Sequence, residues 1–125
     1  MNTMRVAFPS AARAVQQTYT SDWFENLENR GALIILDVSA VTATPALTVK
    51  LQAYDPVSLE GRDVFSAAAA VATAVNGVYL LYPGAGTNAT LTESVGGNLP
   101  TKYRVAVTHG DTDSATYSVV LHELA

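Results

Sequence analysis

The stretch Leu47-Thr48-Val49-Lys50-Leu51-Gln52-Ala53-Tyr54 decides the fold. Aliphatic side chains at 47, 49, 51 and 53 alternate with Thr48, Lys50, Gln52 and Tyr54. A period of two places one face of a β-strand in a core and the other in water. The same alternation returns in Tyr103, Val105 and Val107 against Arg104, Ala106 and Thr108, and in Ala115, Tyr117, Val119 and Leu121 against Thr116, Ser118 and Val120. Met4, Val6 and Phe8 form a short version near the start. Residues 32–41 differ, because Leu33, Ile34, Ile35 and Leu36 are apolar on both faces before Asp37 and Ser39 make one face polar. That pattern reads as a central strand covered on both sides where it begins.

Turn chemistry separates these runs. Thr44-Pro45 precedes the 46–54 strand, and Asp55-Pro56-Val57-Ser58 with Gly61 closes it into a hairpin. Asn76-Gly77, Pro83-Gly84-Ala85-Gly86, Gly96-Gly97-Asn98 and Gly110-Asp111 mark further turns. The predicted strands are 4–8, 13–19, 32–41, 46–54, 62–68, 77–82, 103–109 and 115–122. Short strands at this spacing, without helical periods between them, imply an all-β fold. The expectation is an antiparallel β-sandwich of about eight strands, jelly-roll-like or immunoglobulin-like. Residues 1–12 read as an N-terminal arm or edge strand, and 13–125 as a single β-sandwich domain.

Two segments carry helical signals. Ala67-Ala68-Ala69-Ala70 has high helix propensity, but Val64, Phe65, Val71 and Val75 around it favour a buried strand. The region then reads as two buried strands around the Asn76-Gly77 turn, a strong hairpin signal. In 21–30, Asp22 and Glu25 have capping-box spacing, and Trp23, Phe24 and Leu27 fall at i, i+1 and i+4, which predicts a short helix near 21–28.

Composition narrows the function. The 125 residues suit one domain. Hydrophobic residues make up 49% and charged residues 14%, the latter against about 25% in an ordinary soluble domain, so a charge-rich disordered chain is excluded. A net charge of −4, with no basic cluster, argues against nucleic-acid binding by phosphate neutralisation. Cysteine is absent, which removes disulfides and thiolate metal sites. No Asp, Glu, Lys or Arg occurs from Val64 to Thr92, yet Ser66, Thr73, Asn76-Gly77 and Pro83-Gly84 interrupt that run, so no membrane span is expected. The first nine residues lack the apolar stretch of a signal peptide.

Catalytic and ligand motifs are sparse. There is no Gly-x-Ser-x-Gly elbow. His109 and His122 lie in predicted strands without metal-ligand spacing and read as structural or surface histidines. Asp111-Thr112-Asp113 lacks the Gly and Glu of a calcium loop, and Gly84-Ala85-Gly86-Thr87-Asn88 lacks the Lys-Ser/Thr of a phosphate cradle. Asn88-Ala89-Thr90 matches the glycosylation sequon, with no secretory signal to give it meaning. No enzyme activity, cofactor or metal is expected. Trp23 and Phe24 read either as the closure of one end of the sandwich or as anchors of an intersubunit contact, since aromatic residues dominate binding hot spots.

A resemblance adds to this reading. Asp37-Val38-Ser39-Ala40-Val41-Thr42-Ala43-Thr44-Pro45, then Asp55-Pro56-Val57-Ser58 and Tyr82-Pro83-Gly84, resemble small virion structural proteins of tailed bacteriophages. Leu99-Pro100, Tyr103-Arg104-Val105-Ala106-Val107-Thr108-His109-Gly110-Asp111 and Ser114-Ala115-Thr116-Tyr117-Ser118 continue the likeness in order, over about residues 31–121. Such proteins are encoded among head genes. The resemblance therefore implies a capsid decoration (cement) protein on the virion surface, with a head–tail connector or tail component as the alternative. Its implied partners are the major capsid protein and itself, as a homotrimer. Two departures stand out: Leu59-Glu60 intervene before Gly61 where a Gly usually follows directly, and the 22–30 segment is longer than usual. A bridging protein needs a rigid sandwich, open strand edges and apolar contact area. Met4, Val6, Phe8, Trp23, Phe24 and Leu27 are the interface candidates. A non-catalytic carbohydrate-binding sandwich stays open as a further alternative, and requires an exposed aromatic platform.

Overall fold

The structure, a computed structural model, describes residues 2–87 and 90–125. Asn88 and Ala89 of the sequon lie outside the described residues. Among those described the chain is all-β, with ten strands rather than eight: β1 (Thr3–Arg13), β2 (Thr18–Thr20), β3 (Phe24–Glu25), β4 (Gly31–Val41), β5 (Leu47–Asp55), β6 (Glu60–Ser66), β7 (Asn76–Leu81), β8 (Glu93–Val95), β9 (Lys102–His109) and β10 (Ala115–Leu124). No described helix is long and apolar enough to cross a membrane.

Two sheets result. Sheet A runs β1-β10-β4-β7-β8, and sheet B runs β2-β9-β5-β6 with β3 also paired to β9. The antiparallel pairings nest around the 55–60 turn: β5 with β6, β4 with β7, β2 with β9 and β1 with β10. One long hairpin rolled up on itself gives this order, which is the jelly-roll connection rather than the immunoglobulin one. β3 and β8 are short additions, β8 lying parallel to β7.

The alternation read from the sequence fills the space between the sheets. Ile34, Leu36 and Val38 of β4, Leu47, Val49 and Leu51 of β5, Tyr103, Val105 and Val107 of β9, and Tyr117, Val119 and Leu121 of β10 are all buried. Each aliphatic burial stabilises by about 1.5–3 kcal/mol relative to exposure.

Three sequence expectations are corrected. The 13–19 strand is divided, because Ala14, Val15, Gln16 and Gln17 carry the chain from the end of β1 in sheet A to β2 in sheet B. Residues 21–28 form no helix. Ser21 N–H bonds Val105 O at 2.9 Å and its hydroxyl accepts Val105 N–H at 3.0 Å, while Phe24 and Glu25 pair with Tyr103 and Lys102, so β9 takes up the backbone a helix would need. Asn76-Gly77 is no hairpin. The preceding segment crosses between sheets, meeting β5 through the Ala67 N–H bond to Val49 O at 2.9 Å and the isolated Val71–Leu47 bridge, and Asn76 opens β7. Gly77 serves close packing instead, since a Cβ there would lie 2.7 Å from Tyr79 Oη.

Candidate protein interface

An antiparallel sandwich usually buries one face of each sheet and wets the other. Sheet B follows the rule and sheet A does not. On the outer side of sheet A, Met4 pairs with His122, His122 with Leu33 and Leu33 with Leu80. The neighbouring row is Val6, Val120, Ile35 and Val78. Seven of these eight side chains are apolar. Leu33, Ile35, Val78, Leu80, Val120 and His122 are half-buried by their neighbours, and at the β1 edge Met4 and Val6 are 64% and 56% exposed. The next row, Ser118, Asp37 and Asn76, is polar and bounds the patch.

Sheet B presents the opposite character. Lys50 Nζ lies 3.5 Å from Asp63, Gln52 Nε2 donates to Asp63 at 2.8 Å, and Arg104 Nε donates to Gln52 Oε1 at 2.8 Å. Arg104 also stacks over Trp23 at 4.3 Å, Lys102 lies over Tyr54 at 4.4 Å, and the Trp23 and Tyr54 rings meet edge-on at 5.0 Å. Gly61 makes room for this lattice, as a Cβ there would meet Gln52 Oε1 at 2.4 Å. These exposed pairs are each worth under about 1 kcal/mol. Together they answer one another's polar groups and leave a face suited to water.

The predicted interface residues divide between these surroundings. Met4 and Val6 come together on the apolar face. Phe8 turns inward past a β-bulge, buried edge-on against Tyr117 at 6.4 Å. Phe24 packs on Tyr103 at 5.7 Å beneath the Arg5 guanidinium at 5.2 Å. Trp23 belongs to the sheet B lattice, with the Arg104 guanidinium over its ring at 4.3 Å. Leu27, 86% exposed, borders a shallow depression of about 280 Å³ with Thr3, Glu28 and Asn29. Leu33, Ile35, Val78, Leu80 and Val120 were not singled out from sequence. For Leu33 and Ile35 the signal is the doubly apolar run at 33–36, whose outer side has no covering layer among the described residues.

The buried titratable groups make their polar contacts within the sandwich. Glu123 is inside the sandwich, 3.3 Å from Arg5 Nε, and accepts from Tyr103 Oη at 2.5 Å and Asn29 Nδ2 at 3.4 Å. Burial, and then the carboxylate that accepts its proton, push the Tyr103 phenol far above its ordinary range. His109 Nε2 bonds Tyr117 Oη at 2.8 Å and its ring packs on Tyr19 at 4.8 Å. Burial and then the nearby Arg13 charge lower its pKa, whereas Asp111 works weakly the other way. His122 lies instead on the outer apolar face. Asp111 and Asp113 are taken up by their turn, accepting from Asp113 N–H at 3.1 Å and Thr44 N–H at 3.2 Å. No cluster of His, Asp or Glu suited to a metal occurs among the described residues.

No family model matches this chain, and no curated protein matches it. Among solved structures it is similar to a chain from "Structure of infectious bursal disease virus Gx strain", at 14% identity with a TM-score of 0.49. The match covers 98% of this chain and 31% of that one, so the chain spans about a third of its neighbour's length.

Proposed function

We propose that this chain is a structural subunit of a virus particle, one that binds the outer surface of a tailed-phage capsid and stabilises it by bridging neighbouring capsid subunits. The observation that carries the reading is the apolar outer face of sheet A. The core takes up the inward faces of both sheets, so a second, contiguous apolar layer on a chain with 14% charged residues points to contact with another protein.

Size decides what kind of contact this is. Two rows across four strands measure about 20 by 14 Å, roughly 300 Å², from strand and residue spacings. A stable one-to-one complex takes about 800 Å² per partner. One such face holds weakly, and several linked faces hold firmly, because linkage turns each later contact into an intramolecular one. A homotrimer seated at three-fold positions would supply that linkage, with major capsid protein as the partner.

Co-sedimentation with undecorated capsids tests the proposal. Stoichiometric pelleting is expected. Absence of association would remove the capsid role, and labelling confined to the neck or tail in electron micrographs would move the protein there. Sedimentation equilibrium should return a mass three times 13.2 kDa, and a monomer would overturn the trimer alone.

A further inference from the structure

The β5–β6 turn ends the sandwich in an apolar tip. Val57 is 92% exposed and Leu59 69%, and Leu59 has a φ of 61°, the left-handed region that branched and bulky side chains rarely adopt. The tip is braced. Asp55 Oδ1 accepts Val57 N–H at 2.9 Å and Ser58 N–H at 3.4 Å, and Leu59 N–H donates to Asp55 O at 2.8 Å. Arg62 then reaches Asp55 Oδ2 at 3.4 Å and Ser58 Oγ at 3.3 Å.

A glycine at 59 would hold this conformation without strain. Leucine holds it at a steric disadvantage, and its exposed side chain has little to gain inside the chain. The use of that side chain therefore lies outside it. Charge selects the surroundings. Exposed Glu60 follows the tip and makes no ion pair among the described residues, whereas Asp55 is already answered by Arg62. An anionic lipid surface repels such a shoulder. A protein pocket with an apolar floor and a Lys or Arg at its lip matches it.

We propose that Val57 and Leu59 form a preorganised prong that inserts into such a pocket on the shell subunit. The proposal rests on the virion reading above and adds an attachment point separate from the sheet A face. Rigidity before binding limits the entropy lost on insertion.

The test uses the full chain carrying Leu59→Gly or Val57→Ser, titrated onto undecorated capsids. Leu59→Gly is expected to raise Tm by about 2–5 °C, as relief of backbone strain outweighs the added chain entropy. The same change should weaken capsid binding tenfold or more, as loss of an anchoring side chain does. Val57→Ser should weaken binding without raising Tm. Unchanged binding by both variants, with wild type pelleting normally, overturns the prong and leaves the virion reading standing. Failure of wild type to pellet overturns both. A fall in oligomer mass with Leu59→Gly would make a second copy the occupant, and flotation with phosphatidylserine vesicles that depends on Leu59 would make it lipid; either result overturns the shell pocket.

Discussion

His109 is held neutral by its packing under Tyr19 and Tyr117 and by the neighbouring Arg13 charge, so its folded pKa lies below its unfolded value of about 6.5. Above that pH neither state carries the proton and the stabilisation is complete. Below it the unfolded chain binds a proton that the folded chain refuses, and stability falls with pH. Urea midpoints should therefore decline from pH 7.5 to 5.5, and His109→Gln should flatten that slope. Asp55 does not confuse this window. The Val57 N–H, first among its partners, holds its carboxyl below 3.8, so its contribution is lost only in stronger acid. A second residue-scale expectation concerns Arg5, whose removal strands the buried Glu123 carboxylate. Fully buried pairs lose about 3–5 kcal/mol when broken. Arg5 is 30% exposed, so Arg5→Met should destabilise by about 2–3 kcal/mol in denaturant titrations.

At the scale of elements, the strands with clean alternation were legible in the sequence and the connections were not. Residues 47–54, 103–109 and 115–122 form strands because core-facing apolar side chains recur at every second position. Residues 67–75 misled because apolar composition alone does not distinguish a strand from a crossover. The missing information is spatial: β6 ends in sheet B and β7 begins in sheet A. Asp22 and Glu25 misled for a related reason, since capping-box spacing describes a local preference and β9 offers the backbone a better set of partners. Gly77 marks the difference between turn chemistry and packing. Gly77→Ala should destabilise by about 1–3 kcal/mol through overpacking against the buried Tyr79 ring, read from denaturant midpoints.

For the whole molecule, what matters is the contrast between two outer faces. Sheet B answers Lys50, Gln52, Arg104 and Lys102 from within the chain, whereas sheet A leaves Leu33, Ile35, Val78, Leu80 and Val120 without a covering layer among the described residues. Part of that site was legible, in Met4, Val6 and the run at 33–36. The joining of residues from four strands into one patch depends on register, which no local pattern encodes. Ile35→Lys should change stability by less than about 1 kcal/mol, because the lysine stem can lie along the same apolar row. It should reduce co-sedimentation with capsids at least tenfold, while Thr48→Lys on sheet B should leave it unchanged.

Hydroxyl-radical footprinting of the free and capsid-bound protein tests most directly whether the sheet A face is the contact. Met4, Leu33 and Leu80 should lose reactivity on binding while Val64 on β6 keeps it. Equal reactivity of Met4, Leu33 and Leu80 in the two states, on particles that have taken up the protein, would contradict the assignment.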